Sequence, residues 1–128
     1  MAHTYAAQDI SHLTGAAVAF GQIVKFSGVD AQNAGLAVPC STAGEQAVGV
    51  AASATTAAGE TLMITVGGVC EALFGATVAA GTRFTTNASG RVIAAGAGQA
   101  VLGTVVLGAG NGEIGSVLFD KDGTVPSA

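Results

Sequence analysis

Dipeptides ending in glycine punctuate this chain at intervals of roughly ten residues, and that spacing restricts the folds open to it. The clearest are Ser27-Gly28, Ala58-Gly59, Gly67-Gly68, Ser89-Gly90 and Asn111-Gly112. Glycine accepts the positive φ that tight hairpin turns require. The segments between are short and lack an apolar period of 3.6; several alternate with period two instead. From Glu60 to Val66, Leu62, Ile64 and Val66 point one way and Thr61, Met63 and Thr65 the other. Further strands are predicted near 18–26, 36–40, 47–52, 69–74, 83–86, 92–94, 100–107 and 114–119. Pro39 suits a strand end, where a missing N–H costs least. The fold class expected is all-β, a small β-barrel or sandwich.

The chain also repeats itself. Val18-Ala19-Phe20-Gly21 has a counterpart in Val78-Ala79-Ala80-Gly81. Gln46-Ala47-Val48-Gly49 precedes a Gly59-Glu60 turn and strand, as Gln99-Ala100-Val101-Leu102-Gly103 precedes Gly112-Glu113 and a strand. Two similar β-units are therefore expected, about 16–74 and 76–119, inside a β-domain of 15–119. Two units are too few for a long solenoid, which stacks three or more repeats. An N-terminal arm (1–14) and a polar C-terminal tail (120–128) flank the domain.

The interior of such a domain is built from small side chains. Alanine supplies 27 positions and glycine 20, whereas Val, Leu, Ile, Met, Phe and Tyr together supply 35. A buried methyl is worth on the order of 0.8 kcal/mol, against roughly 1.5 to 3 for a large apolar side chain. Ordering each residue costs about 1 to 2 kcal/mol. Association with a partner surface widens so thin a margin, and an oligomer is expected.

Chemistry-bearing constellations are scarce. The net charge is −4 and the cations are Lys25, Arg83, Arg91 and Lys121, too few to neutralise the roughly 6 to 10 phosphates of a typical nucleic-acid site. The charge-free stretch 92–112 has the length of a membrane span, but its glycines and Asn111-Gly112 read better as two strands and a turn. The first nine residues have neither the basic nor the apolar region of a secretory signal, which implies cytosolic folding. In that compartment Cys40 and Cys70 are expected to stay reduced, as small buried apolar residues.

No phosphate loop is present, and Gly96-Ala97-Gly98 runs into Val101 where a dinucleotide fingerprint needs its last glycine. His3 and His12, the two candidate bases, sit in the arm with no local nucleophile signature. Glu60 and Glu113 occupy matching places after turns, which the repeat explains. No Cys/His spacing suits zinc, and Asp120-Lys121-Asp122-Gly123 cannot complete a calcium loop before the sequence ends. Asn87-Ala88-Ser89 matches a glycosylation sequon and is expected to serve as a turn. The chain is read as a non-enzyme without metal or cofactor.

These segments, a polar arm, then Gly-Ala-Ala-Val-Ala-Phe-Gly-Gln-Ile-Val, Ala-Val-Gly-Val-Ala, Ala-Gly-Glu-Thr-Leu-Met-Ile-Thr-Val-Gly-Gly-Val and Ala-Val-Leu-Gly-Thr-Val, together resemble tailed-phage capsid decoration proteins, also called head cement proteins. The resemblance covers roughly residues 8–119. It implies a tulip-like β-barrel that forms a homotrimer on the outer capsid surface, assembled in the host bacterial cytoplasm, and stabilises the expanded shell. The implied partners are the major capsid protein and itself, with no nucleic acid, membrane or cofactor. In such relatives the arm adds a strand to the capsid protein, which points to His3, Tyr5, Ile10, His12 and Leu13 as the contact residues. Two other readings stand beside it: a carbohydrate- or cell-surface-binding β-module, short of aromatic residues for that role, and a tail-tube-like subunit.

Overall fold

A computed structural model describes residues 8–121. All named elements are strands: β1 (Gln8–Leu13), β2 (Ile23–Val29), β3 (Gly35–Pro39), β4 (Gly49–Ala51), β5 (Thr61–Leu73), β6 (Arg83–Thr86), β7 (Val92–Ala94), β8 (Gly103–Leu107) and β9 (Ile114–Phe119). The chain is all-β, as the turn spacing predicts, and its antiparallel sheet curls into a small barrel-like fold. The order is β3-β2-β4-β5-β9-β8-β6-β7, with β1 also on β5. That order reads the same from either end once β3, β2, β4 and β5 are matched to β7, β6, β8 and β9.

Duplication extends to individual residue pairs. In β1 on β5, Ile10 faces Ile64 and His12 faces Leu62; in β5 on β9, Cys70 faces Val117 and Ala72 faces Gly115. Val24 faces Gly49 as Phe84 faces Gly103. Each half curls until its first strand returns to its third through one parallel bridge, Thr14 to Ala37 and Phe74 to Val92. The first half therefore begins at β1, and the last residues of β5 play the part of β1 in the second. Residues 8–13, read from the sequence as arm, form a strand of the first half.

The physical reasons are local. Gly49 and Gly103 occupy matching places where a Cβ would run into a backbone carbonyl oxygen, of Thr65 and Leu118 respectively, so only glycine lets these strands approach. Burial alternates on β5 over 61–64, where Leu62 and Ile64 are fully buried and Thr61 and Met63 exposed, but Thr65, expected on the open side, is buried as well. One residue of the repeat shifts relative to the sequence reading. Val48 N–H bonds the Val24 carbonyl as Leu102 N–H bonds that of Phe84, so Glu45, not Gln46, corresponds to Gln99. Both side chains cap the same loop, Glu45 accepting from Ser41 and Thr42 N–H at 2.7 Å and Gln99 from Gly96 N–H at 2.6 Å.

Two expected turns are strand instead. Ser27-Gly28 lies within β2, next to a register shift after Phe26, and Gly67-Gly68 lies within β5, so the two strands predicted at 60–66 and 69–74 are one. Both Gly28 and Gly68 have positive φ, 78° and 93°. The same freedom that makes a turn also makes a bulge, which bends a strand without ending it.

The halves form one body. Ile23 N–H bonds the Gly90 carbonyl at 2.7 Å, Leu73 N–H that of Gly21 at 2.9 Å, and Gly44 N–H that of Thr86 at 2.9 Å. Ile23, Cys40, Ala47 and Val50 leave the first half's own core and join Phe74, Phe84, Leu102 and Phe119 in the second half's. Val18, Val24, Ala37, Ala51, Leu62 and Ile64 fill the first. Cys40 and Cys70 are free thiols. Burial pushes each up to about 12, with Glu45 adding to the effect at Cys40 and Asp9 at Cys70.

Glu45 also carries the ion pair of the described residues, 3.0 Å from Lys25 Nζ. Burial works to raise its carboxyl, but the Thr42 and Ser41 N–H groups and the Lys25 ammonium outweigh it and hold the group below its ordinary value. A lowered native value means that this stabilisation is present above about pH 4.5 and disappears as pH falls through the native titration. Glu45→Gln, which installs the matching residue of the second half, is expected to cost about 1 kcal/mol or less at pH 7. Thermal melts at pH 7 and pH 3.5 check this: the variant's loss of stability between them should be smaller than the wild type's.

Candidate interaction surface

The first candidate surface surrounds β1. His3 and Tyr5 lie outside the described residues. Ile10 is half-buried against Val18, Val24 and Leu62. His12 Nδ1 stands 2.9 Å from the Gly35 carbonyl oxygen, which can only accept and so fixes the proton on that nitrogen. Its ring lies 4.6 Å from that of Phe26. Leu13 is half-buried at the strand's end, facing Thr61. Two further polar side chains of β1 are engaged within the chain: Thr65 Oγ1 donates to Asp9 at 2.9 Å, and Ser11 Oγ to Met63 Sδ at 3.0 Å. Ile10, His12 and Leu13 thus lie on a strand one of whose two edges β5 already occupies.

Beside them is an open groove of about 290 Å³ lined by Ser11, His12, Leu13, Asp30, Ala34 and Thr61, among others. It exists because the first half's hairpin is longer. In both halves an Asx side chain caps the loop: Asp30 accepts from Gln32 and Ala34 N–H, Asn87 from Ser89 and Arg91 N–H. The sequon asparagine is thus a turn-former. Ser27, Gly28 and Val29 on one strand and Gly35 and Leu36 on the other push the Asp30 loop outward. Val29 ends up 57 % exposed.

The second candidate surface, the outer face of β8, β9 and the end of β5, is not among the sequence-predicted contacts. Cross-strand partners share a face. Arg83 pairs with Thr104, Thr104 with Leu118 and Leu118 with Val69, so these four make one outward row. A second row runs Leu107, Ser116, Glu71, and a third Ile114, Leu73. Leu107 is 62 % exposed, Ile114 42 % and Val69 36 %. At the matching outward places of the first half stand Ser53 for Leu107, Thr61 for Ile114, Thr65 for Leu118 and Asp9 for Val69. Comparing the repeats position by position would have found this contrast in the sequence alone.

Among the described residues no three His, Cys, Asp or Glu side chains gather as a metal group, and no helix is long and apolar enough to cross a membrane. The fold defines a class of tandem-duplicated small β-modules. A solved structure with this fold is the gp8.5 N base of the head fiber of bacteriophage phi29, with a TM-score of 0.72 and 14 % identity over 90 % of this chain and 95 % of that one. At that identity the likeness is one of fold. No protein-family model matches the sequence, and no curated protein is similar to it.

Proposed function

We propose that this protein is a structural virion component that binds the exterior of a phage capsid as an oligomer and stabilises the expanded shell. The observation that carries the reading is the likeness to a phage head-fiber base across nearly that chain's whole length. The sequence resemblance to capsid decoration proteins points the same way, and it rests on turn and strand motifs rather than on the fold. The role is a binding one, with no reaction and no cofactor; the partners are the major capsid protein and further copies of this chain, in a trimer on the outer shell surface.

Strand addition by an arm takes affinity from backbone hydrogen bonds. With residues 8–13 already paired to β5, the arm that does this is residues 1–7, with His3 and Tyr5 as its contacts. Several arms on one oligomer raise avidity by about 10² to 10⁴ without new contacts. Co-sedimentation with purified phage shells tests the reading. The full chain is expected to pellet with expanded shells, and a chain lacking residues 1–7, its circular dichroism unchanged, to remain in the supernatant. A full chain that ignores expanded shells overturns the function; undiminished pelleting of the shortened chain overturns the arm.

A further inference from the structure

The two halves serve as each other's control. They share strand order and register, so a side chain that the fold itself requires should be of the same kind in both. The outer face of β5, β9 and β8 fails that test at four places that turn apolar, where Asp9, Ser53, Thr61 and Thr65 of the first half are answered by Val69, Leu107, Ile114 and Leu118 in the second; at one exposed place the change is reversed, Met63 being answered by Ser116. Leu73, which has Leu13 at its matching place in the first half, lies beside Ile114 and extends the patch. Nothing inside the second half needs these side chains, because its core is filled from the opposite face by Phe74, Phe84, Leu102, Val105 and Val117.

The surroundings say what covers the patch. In the first half, Ile23 and Val50 of the outward row are buried because the second half packs on them. At their matching places the second half carries Arg83 and Thr104, a charged and a polar residue that discourage a third unit from stacking there. Arg83 therefore stands at the β6 side of the apolar face and Glu71 at its β5 side, both exposed. The ion pair among the described residues is Lys25 with Glu45, so among those residues neither Arg83 nor Glu71 has an opposite charge bound to it. An apolar centre with an unmatched cation on one flank and an unmatched anion on the other is complementary to itself.

We infer that the outer face of β8, β9 and the end of β5 is where another copy of this chain packs, through Val69, Leu73, Leu107, Ile114 and Leu118, with Arg83 of one copy pairing to Glu71 of the next. This gives the oligomer of the proposed function its surface and rests on that reading only for the existence of the oligomer. Assembly is measured without shells, so its failure is separable from a failure to bind capsids. The opposite signs at the two flanks also set the direction of packing, since the reversed arrangement would bring like charges together.

Sedimentation velocity and native mass spectrometry of the full chain test the inference. Wild type is expected to assemble at about 10 μM, and Leu107→Ser/Ile114→Thr/Leu118→Thr to weaken association about a hundredfold or more, to a monomer at that concentration. Each replacement is the residue already present at the matching place of the first half, so the fold should tolerate it; unchanged circular dichroism verifies this, and Leu107→Ser alone provides a milder version. Glu71→Arg should also weaken assembly, and adding Arg83→Glu should restore it. A monomeric wild type overturns the inference, including one that binds shells through this face. So does a triple variant that keeps the wild-type mass, and a Glu71→Arg defect that Arg83→Glu does not reverse overturns the charge pairing.

Discussion

Gly115→Leu is expected to destabilise the protein by more than about 4 kcal/mol, a large part of the roughly 5 to 15 that hold a domain of this size together. Leucine is the residue at the matching place of the first half, where Leu62 is fully buried opposite His12. The two halves fill that volume differently. In the first, Thr14 is small and Leu62 large; in the second, Phe74 is large and Gly115 has no side chain. A Cβ on Gly115 would lie 2.8 Å from Phe74 Cε1 and 2.5 Å from the Leu107 carbonyl oxygen. Neither neighbour yields easily, since Phe74 is fully buried and the other atom is backbone. Urea denaturation measures the loss. Phe74→Thr/Gly115→Leu, which copies the first half's pair, should recover part of it, because the ring is gone and the carbonyl is not. A single variant within about 1 kcal/mol of wild type would show that ring and glycine do not share the volume.

Removing residues 1–13 is expected to leave a chain that does not fold cooperatively. The deletion takes away all of β1: its ladder with β5, the Ile10 packing against the first core and the His12 bond to Gly35. Backbone bonds worth about 0.5 to 1.5 kcal/mol each and a large apolar side chain worth about 1.5 to 3 add up to most of a small domain's stability. One edge of β5 would also be left open, a template for aggregation. Circular dichroism melts and limited proteolysis should show a broad, low transition and rapid cleavage within 14–67. A sharp melt near that of the full chain would mean that β1 is dispensable and that the domain begins after residue 13.

The all-β class was legible because the turn glycines and the alternation of Leu62, Ile64 and Val66 act locally. What a positive-φ glycine does was not legible. Gly59 and Gly112 turn the chain, whereas Gly28 and Gly68 bend strands that continue, and the choice depends on whether a partner strand lies alongside. The repeat was visible, but Gln46 and Gln99 are a chemical match while Glu45 and Gln99 are the structural one, because the shared property is an oxygen that accepts loop N–H groups. Residues 8–13 read as arm because their neighbours in sequence are polar; Ile10 and His12 find their burial against strands far along the chain. Of the contact residues the resemblance implies, the structure brings Ile10, His12 and Leu13 together on β1, with Ile10 and His12 facing their own domain and Leu13, opposite exposed Thr61, on the outer side. The apolar outer face escaped notice because Val69, Leu107, Ile114 and Leu118 each look like ordinary strand residues until set beside their polar counterparts.

β5 belongs to both halves. Its 13 residues form one strand of roughly 40 Å, at about 3.3 Å per residue. No flexible linker separates the halves, so they cannot swivel independently, and the molecule behaves as a strut rather than as beads on a string. Tension applied along β5 loads the six residue pairs it makes with β9 in parallel, so the ladder resists by shear instead of unzipping pair by pair.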